Sequence, residues 1–182
     1  VSQGTFTGSG DIAIGDDAML LNTTGVSNVA IGRDTLAANT IGINNVAIGD
    51  QAMDANTTGT HNVAVGTNAL GANTTGIRNI AIGRDALLVN TIGIDNVAVG
   101  SDALAGNTTG VRNIAIGHQS SLASTIATDN VSVGYVSMTS CTTGVQNVAI
   151  GANAADALTI ATACVAVGYD SLGAVTTGVN NT

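Results

Sequence analysis

Apolar and polar positions recur along this chain with a period of 17 residues and without a single insertion. Each period closes an apolar-Ala-apolar tetrapeptide on a glycine, at Gly15, Gly32, Gly49, Gly66, Gly83, Gly100, Gly117, Gly134, Gly151 and Gly168. Ten copies at a constant step predict one structural unit stacked on itself, each touching mainly its neighbours. With that glycine as position 0, Asn stands at −4, Val or Ile at −3, Ala at −2, and Ile or Val at −1. Leu or Met follows at +4, Asn-Thr-Thr/Ile-Gly at +7 to +10, and in most coils Val or Ile at +11.

A helix would have to absorb two glycines per period, each costing about 1 kcal/mol relative to Ala. Short strands fit better, because period-2 alternation puts −3 and −1 on one face and −2 on the other. The pattern therefore predicts an all-β fold, a parallel β-solenoid of about ten 17-residue coils, with rungs about 4.8 Å apart. Ten such rungs extend roughly 50 Å. Four groups per coil, at −3, −1, +4 and +11, are expected to point inward; for one coil these are Val29, Ile31, Leu36 and Ile43. The −2 column is Ala in nine coils and Ser132 in the tenth. That strict smallness reads as close approach of another backbone, expected to be a second copy of the chain. Gly at position 0 reads as a backbone with positive φ. At +10 the demand is smallness, since Ala127 and Ala161 replace Gly there.

Stacking in register makes residues 17 apart neighbours, and the charges test this. Position +1 runs Asp16, Arg33, Asp50, and +12 runs Arg78, Asp95, Arg112, Asp129, alternating in sign. Opposite charges are favoured between facing strand residues. At +2, Asp17 precedes Asp34 and Asp85 precedes Asp102, repulsions that require solvation or a bridge. The Asn column at −4 and the Thr column at +8, from Thr23 to Thr176, are expected to form hydrogen-bonded ladders.

Composition narrows the function. The chain has 182 residues, no Pro, Trp, Lys or Glu, 9% charged residues and 2% aromatics. It is read as a single repeat array over 1–182, with 1–10 a partial N-terminal coil and 179–182 the start of a further coil. A net charge of −8 argues against nucleic acid, which needs clustered Lys and Arg. No apolar run approaches the roughly 20 residues of a membrane span, and no signal peptide is visible. The chain opens on Val1 and both ends fall mid-repeat, as expected of a segment of something longer.

Few residues invite chemistry. His61 and His118 stand at variable surface positions, and Cys141 and Cys164 fall in different columns, which predicts buried or half-buried free thiols. Met19, Met53 and Met138 occupy the Leu column and read as core. Asn22, Asn56, Asn73 and Asn107 match the N-glycosylation acceptor pattern, but Asn39 and Asn90 hold the same column without it, which favours a structural role. No catalytic, cofactor-binding or metal site is expected, and no enzyme.

The segment Asn73-Thr74-Thr75-Gly76-Ile77-Arg78-Asn79-Ile80-Ala81-Ile82-Gly83-Arg84-Asp85-Ala86-Leu87 resembles the head repeats of YadA-like trimeric autotransporter adhesins. It resembles still more closely the repeats of phage tail fibres and related proteins that end in an intramolecular chaperone. The similarity runs from about Asp11 onward. It implies a left-handed parallel β-roll, three chains side by side about a threefold axis, on a cell or virion surface. Ser120-Ser121, Ala127, Cys141, Leu158, Ala161 and Cys164 depart from the pattern, so the last four coils are expected to pack less regularly or approach a junction. The expectation is a structural segment of an extracellular fibre or filament, a homotrimer with end-to-end association as a variant. The alternative is an adhesin head binding host matrix, a cell-surface receptor or a polysaccharide. Ice binding by the Thr columns is a weaker alternative, since Ile holds +9 in four coils.

Overall fold

Strand-forming triplets punctuated by glycine leave room for only a three-residue strand per coil. A computed structural model describes residues 10–182 and shows ten such strands and no helix. They are β1 (Ile12–Ile14), β2 (Val29–Ile31), β3 (Val46–Ile48), β4 (Val63–Val65), β5 (Ile80–Ile82), β6 (Val97–Val99), β7 (Ile114–Ile116), β8 (Val131–Val133), β9 (Val148–Ile150) and β10 (Val165–Val167). They form one parallel sheet in chain order, with Ile12 opposite Val29 and Ala13 opposite Ala30, an offset of 17 repeated at every rung. A second line of parallel bridges at +11 joins Ile77 to Ile94 and Val111 through to Val179. The fold is therefore a β-solenoid of 17-residue coils. The partial N-terminal coil expected over residues 1–10 lies almost wholly outside the described residues.

Along the strands the interior is the reverse of the expected one. Alternation along the strand holds, but the inward face carries Ala, and Val and Ile point out. Ala30, Ala47, Ala64, Ala81 and Ala98 are fully buried, whereas Ile12 and Ile14 are 50% and 59% exposed. Position +4 is inside as expected, with Met19, Leu36, Met53, Leu70, Leu87, Leu104 and Met138 fully buried. Position +11 is only half-buried, and its bridges align it along a second wall. The physical reason is width. A 17-residue coil is so thin that one Leu or Met nearly fills it, and the facing strand has space only for a methyl group. The neighbour that keeps the −2 column small is thus the chain's own interior, and no second copy is needed to explain it.

Two columns of amides complete the core. At −4, the Asn45 backbone N–H and side-chain Nδ2 both donate to Asn28 Oδ1, at 3.0 and 3.1 Å, while Asn45 Nδ2 also donates to Gly59 O at 2.8 Å. The same set repeats through Asn147. A second ladder stands at +7, where Asn39 Nδ2 donates to Asn22 Oδ1 and Asn56 Nδ2 to Asn39 Oδ1. Burying an amide is costly unless it is paired, and stacking pairs each with its copy along both ladders, save Asn107 Oδ1 at the end of the +7 ladder.

The turns rest on unusual dihedrals. The glycines at position 0 have φ between 121° and 142°, and a Cβ on Gly83 would meet Gly100 O at 2.5 Å. Positions +2, +4 and +12 also have positive φ, between 50° and 60°, in every coil, as at Asp85, Leu87 and Arg78. At +10 smallness is the demand, as expected. A Cβ on Gly25 would lie 2.4 Å from Asn22 Oδ1, and the two alanines of this column follow Ser124 and Leu158, where that Asn is absent.

Candidate interaction surface

The outside of the roll divides into stripes, each one repeat position wide and running its length. The outer face of the sheet is built from −3 and −1, twenty Val and Ile side chains in two unbroken columns with no charge among them. Ile12, Ile14, Ile48, Ile80, Ile82, Ile114, Ile116, Ile150, Val165 and Val167 are exposed, and the rest half-buried. Between β1 and β10 the strands pair rung to rung, so the face itself offers only methyl groups. Soluble monomers seldom leave a contiguous apolar patch larger than a few hundred Å² in water.

The charged stripes lie elsewhere and confirm the register. Arg78 is bidentate on Asp95, Nε to Oδ1 at 2.6 Å and Nη2 to Oδ2 at 2.9 Å. Arg112 holds Asp129 in the same way, at 2.6 and 3.0 Å. These hydrogen bonds hold the Asp95 and Asp129 carboxyls below the usual carboxylate range. The like-charge pair Asp85 and Asp102 is bridged, with Arg84 donating to both carboxylates. Arg33 similarly joins Asp34 to Asp50. Among the described residues no cation pairs with Asp54, and partial burial raises its carboxyl, helped by the Asp34 charge.

The remaining singled-out residues sit where the sequence put them. His61 is exposed, with Nε2 3.2 Å from Asn44 Nδ2, and His118 stacks on Tyr135 with ring centroids 5.5 Å apart. Cys141 and Cys164 are buried free thiols, and burial pushes the Cys141 thiol up. Asn22, Asn56, Asn73 and Asn107 are buried in the +7 ladder, which leaves no amide for a glycan. The +8 threonines donate Oγ1 to the carbonyl of the next coil's Thr, as Thr74 does to Thr91 O at 3.1 Å. Those hydroxyl protons are thus committed within the roll, and at +9 exposed Ile41, Ile92, Ile126 and Ile160 interrupt the Thr column. Among the described residues, no three His, Cys or Asp side chains converge as a metal ion would require.

Sequence reasoning missed two features. The +7 amides form a ladder that the sequence expectation leaves out, although the column is regular from Asn22 to Asn107. The apolar stripe faces outward, against the usual placement of hydrophobic residues inside. No protein-family profile, curated protein or solved structure matches this chain.

Proposed function

We propose that this chain is a structural segment of an extracellular fibre whose copies associate side by side, three about a common axis, through the Val/Ile face of the sheet. The observation that carries the reading is that face: two β-branched columns over ten rungs, uncharged and outward. A β-solenoid has the form of a repeat scaffold, and its length grows by adding coils. Stiff β-branched side chains lose little rotamer freedom when covered, which suits them to a packed interface. The ion pairs and polar positions occupy other stripes, so association on the apolar face leaves the charges in water. The surface location and threefold arrangement follow from the resemblance to adhesin-head and tail-fibre repeats.

Sedimentation equilibrium on the chain tests it. Three copies per particle are expected, and Ile82→Asp with Ile116→Asp should give monomers with an unchanged β spectrum. A wild-type chain that stays monomeric at high concentration would overturn the reading.

A further inference from the structure

The interior changes character once along its length. Through the coil that begins at Gly100, the inward places carry mainly Ala at −2 and +3, Leu or Met at +4 and Asn at +7. In the coil spanning 117–133 the same four places are Ser120 at +3, Ser121 at +4, Ser124 at +7 and Ser132 at the closing −2, all buried. Ser137 follows at +3 of the next coil. The buried apolar side chains accordingly form two clusters, one from Ala18 to Ala115 and one from Met138 to Ala166, and between them only Ala127 is buried, in neither cluster.

The hydroxyls satisfy one another where methyl groups stood. Ser120 Oγ lies 2.7 Å from Ser132 Oγ, and Ser132 Oγ lies 2.6 Å from Ser137 Oγ. The +7 amide ladder ends at this coil. Ser124 Oγ donates away from it, to Cys141 O at 2.9 Å, and leaves Asn107 Oδ1 buried without a hydrogen-bond partner. Beyond it the +7 column is Cys141, Leu158 and Val175, and no amide ladder resumes. The backbone and the −4 ladder do continue, with Ser121 N donating to Ser137 O at 2.9 Å and Asn130 Nδ2 to Asn113 Oδ1 at 3.2 Å. Register is kept, therefore, while apolar contact and one ladder are lost together.

In a stacked array, stability is close to a sum of coil terms and nearest-neighbour interfaces, so a weak interface uncouples what lies on either side. We propose that the 117–133 coil is a built-in joint that divides the rod into two cooperative blocks, 11–116 and 134–182, the C-terminal block opening first. That block is the shorter and lacks the second ladder. Such a joint lets a stiff rod yield at one place while the strands on both sides stay in register. The inference rests on the interior alone and stands whether or not the chain self-associates.

Hydrogen exchange read by mass spectrometry on the intact chain, in urea below the main transition, tests it together with pulsed alkylation of Cys141. Peptides from 118–182 should exchange at least about tenfold faster than those from 29–116. Cys141 should label before the N-terminal block loses protection. The variant Ser121→Leu/Ser124→Asn, which returns Leu to +4 and gives Asn107 Oδ1 an amide donor at the +7 place of the joint, should bring the two blocks to a single transition. Coincident opening of all peptides in the wild-type chain would overturn the joint, and the wild-type profile decides this even if the variant fails to fold. A folded variant whose blocks still open separately would overturn its assignment to these serines.

Discussion

At the scale of single residues, the roll depends on which positions accept positive φ. Position 0 tolerates only glycine, because the dihedral and the next coil's carbonyl both exclude a Cβ. Gly83→Ala should cost about 1–3 kcal/mol from the backbone alone, before the clash with Gly100 O is relieved. Positions +2, +4 and +12 hold non-glycine residues in the left-handed region at a cost of roughly 1–2 kcal/mol each. Gln146, exposed at φ 60°, therefore provides the opposite test: Gln146→Gly should leave stability unchanged or raise it. Thermal midpoints of the two variants, measured side by side, check the pair, and a destabilising Gln146→Gly would contradict the dihedral argument. The sequence hinted at these sites through the frequency of Asp and Asn at +2 and +12, residues that visit this region most readily. At +4 there was no such hint, because Leu is uncommon at positive φ and is selected there for its volume.

At the scale of the coil, the informative contrast is between what alternation reveals and what it leaves open. The 17-residue offset, the strand triplets and the Leu/Met column were legible, since each follows from spacing. Which face points inward was not, because period-2 alternation is the same whichever side is buried. The usual rule places Val and Ile inside, yet this coil is too thin for them opposite a Leu, so Ala and paired amides take the interior. Two substitutions follow from that. Ala81→Leu should overpack the coil and destabilise it by about 1–3 kcal/mol, whatever the oligomeric state. Asn79→Ala removes the acceptor of Asn96 N and Nδ2 and the donor to Gly93 O, all buried. It should cost about 1–3 kcal/mol per orphaned group, against almost nothing for exposed Thr75→Ala. Urea midpoints separate these, and equal midpoints for Asn79→Ala and Thr75→Ala would show that the ladder contributes no stability.

At the scale of the whole molecule, the proposed side-by-side assembly sets apolar attraction between copies against repulsion between acidic chains. Each chain carries a net charge of −8, and the four arginines are taken up in ion pairs within the coil stack. Charge repulsion between copies is screened by salt over about 10 Å at 0.1 M, whereas burial of Val and Ile is not weakened by it. The proposed association through the sheet face should therefore tighten as NaCl rises from low to moderate concentration. The exposed Arg78–Asp95 and Arg112–Asp129 pairs should weaken over the same range and change the unfolding midpoint little. Acid works on them separately. Their carboxyls are held low in the folded chain, so their contribution is present above the ordinary carboxylate range and is lost as pH falls through the lowered values. Asp54 has the opposite sign, since its raised carboxyl favours the folded state at low pH and loses that contribution as pH climbs through the raised value. Sedimentation equilibrium across a salt series at neutral pH isolates the interface from both. Tighter association with salt places the contact on the uncharged face, and weaker association would place it on the ion-paired stripes instead.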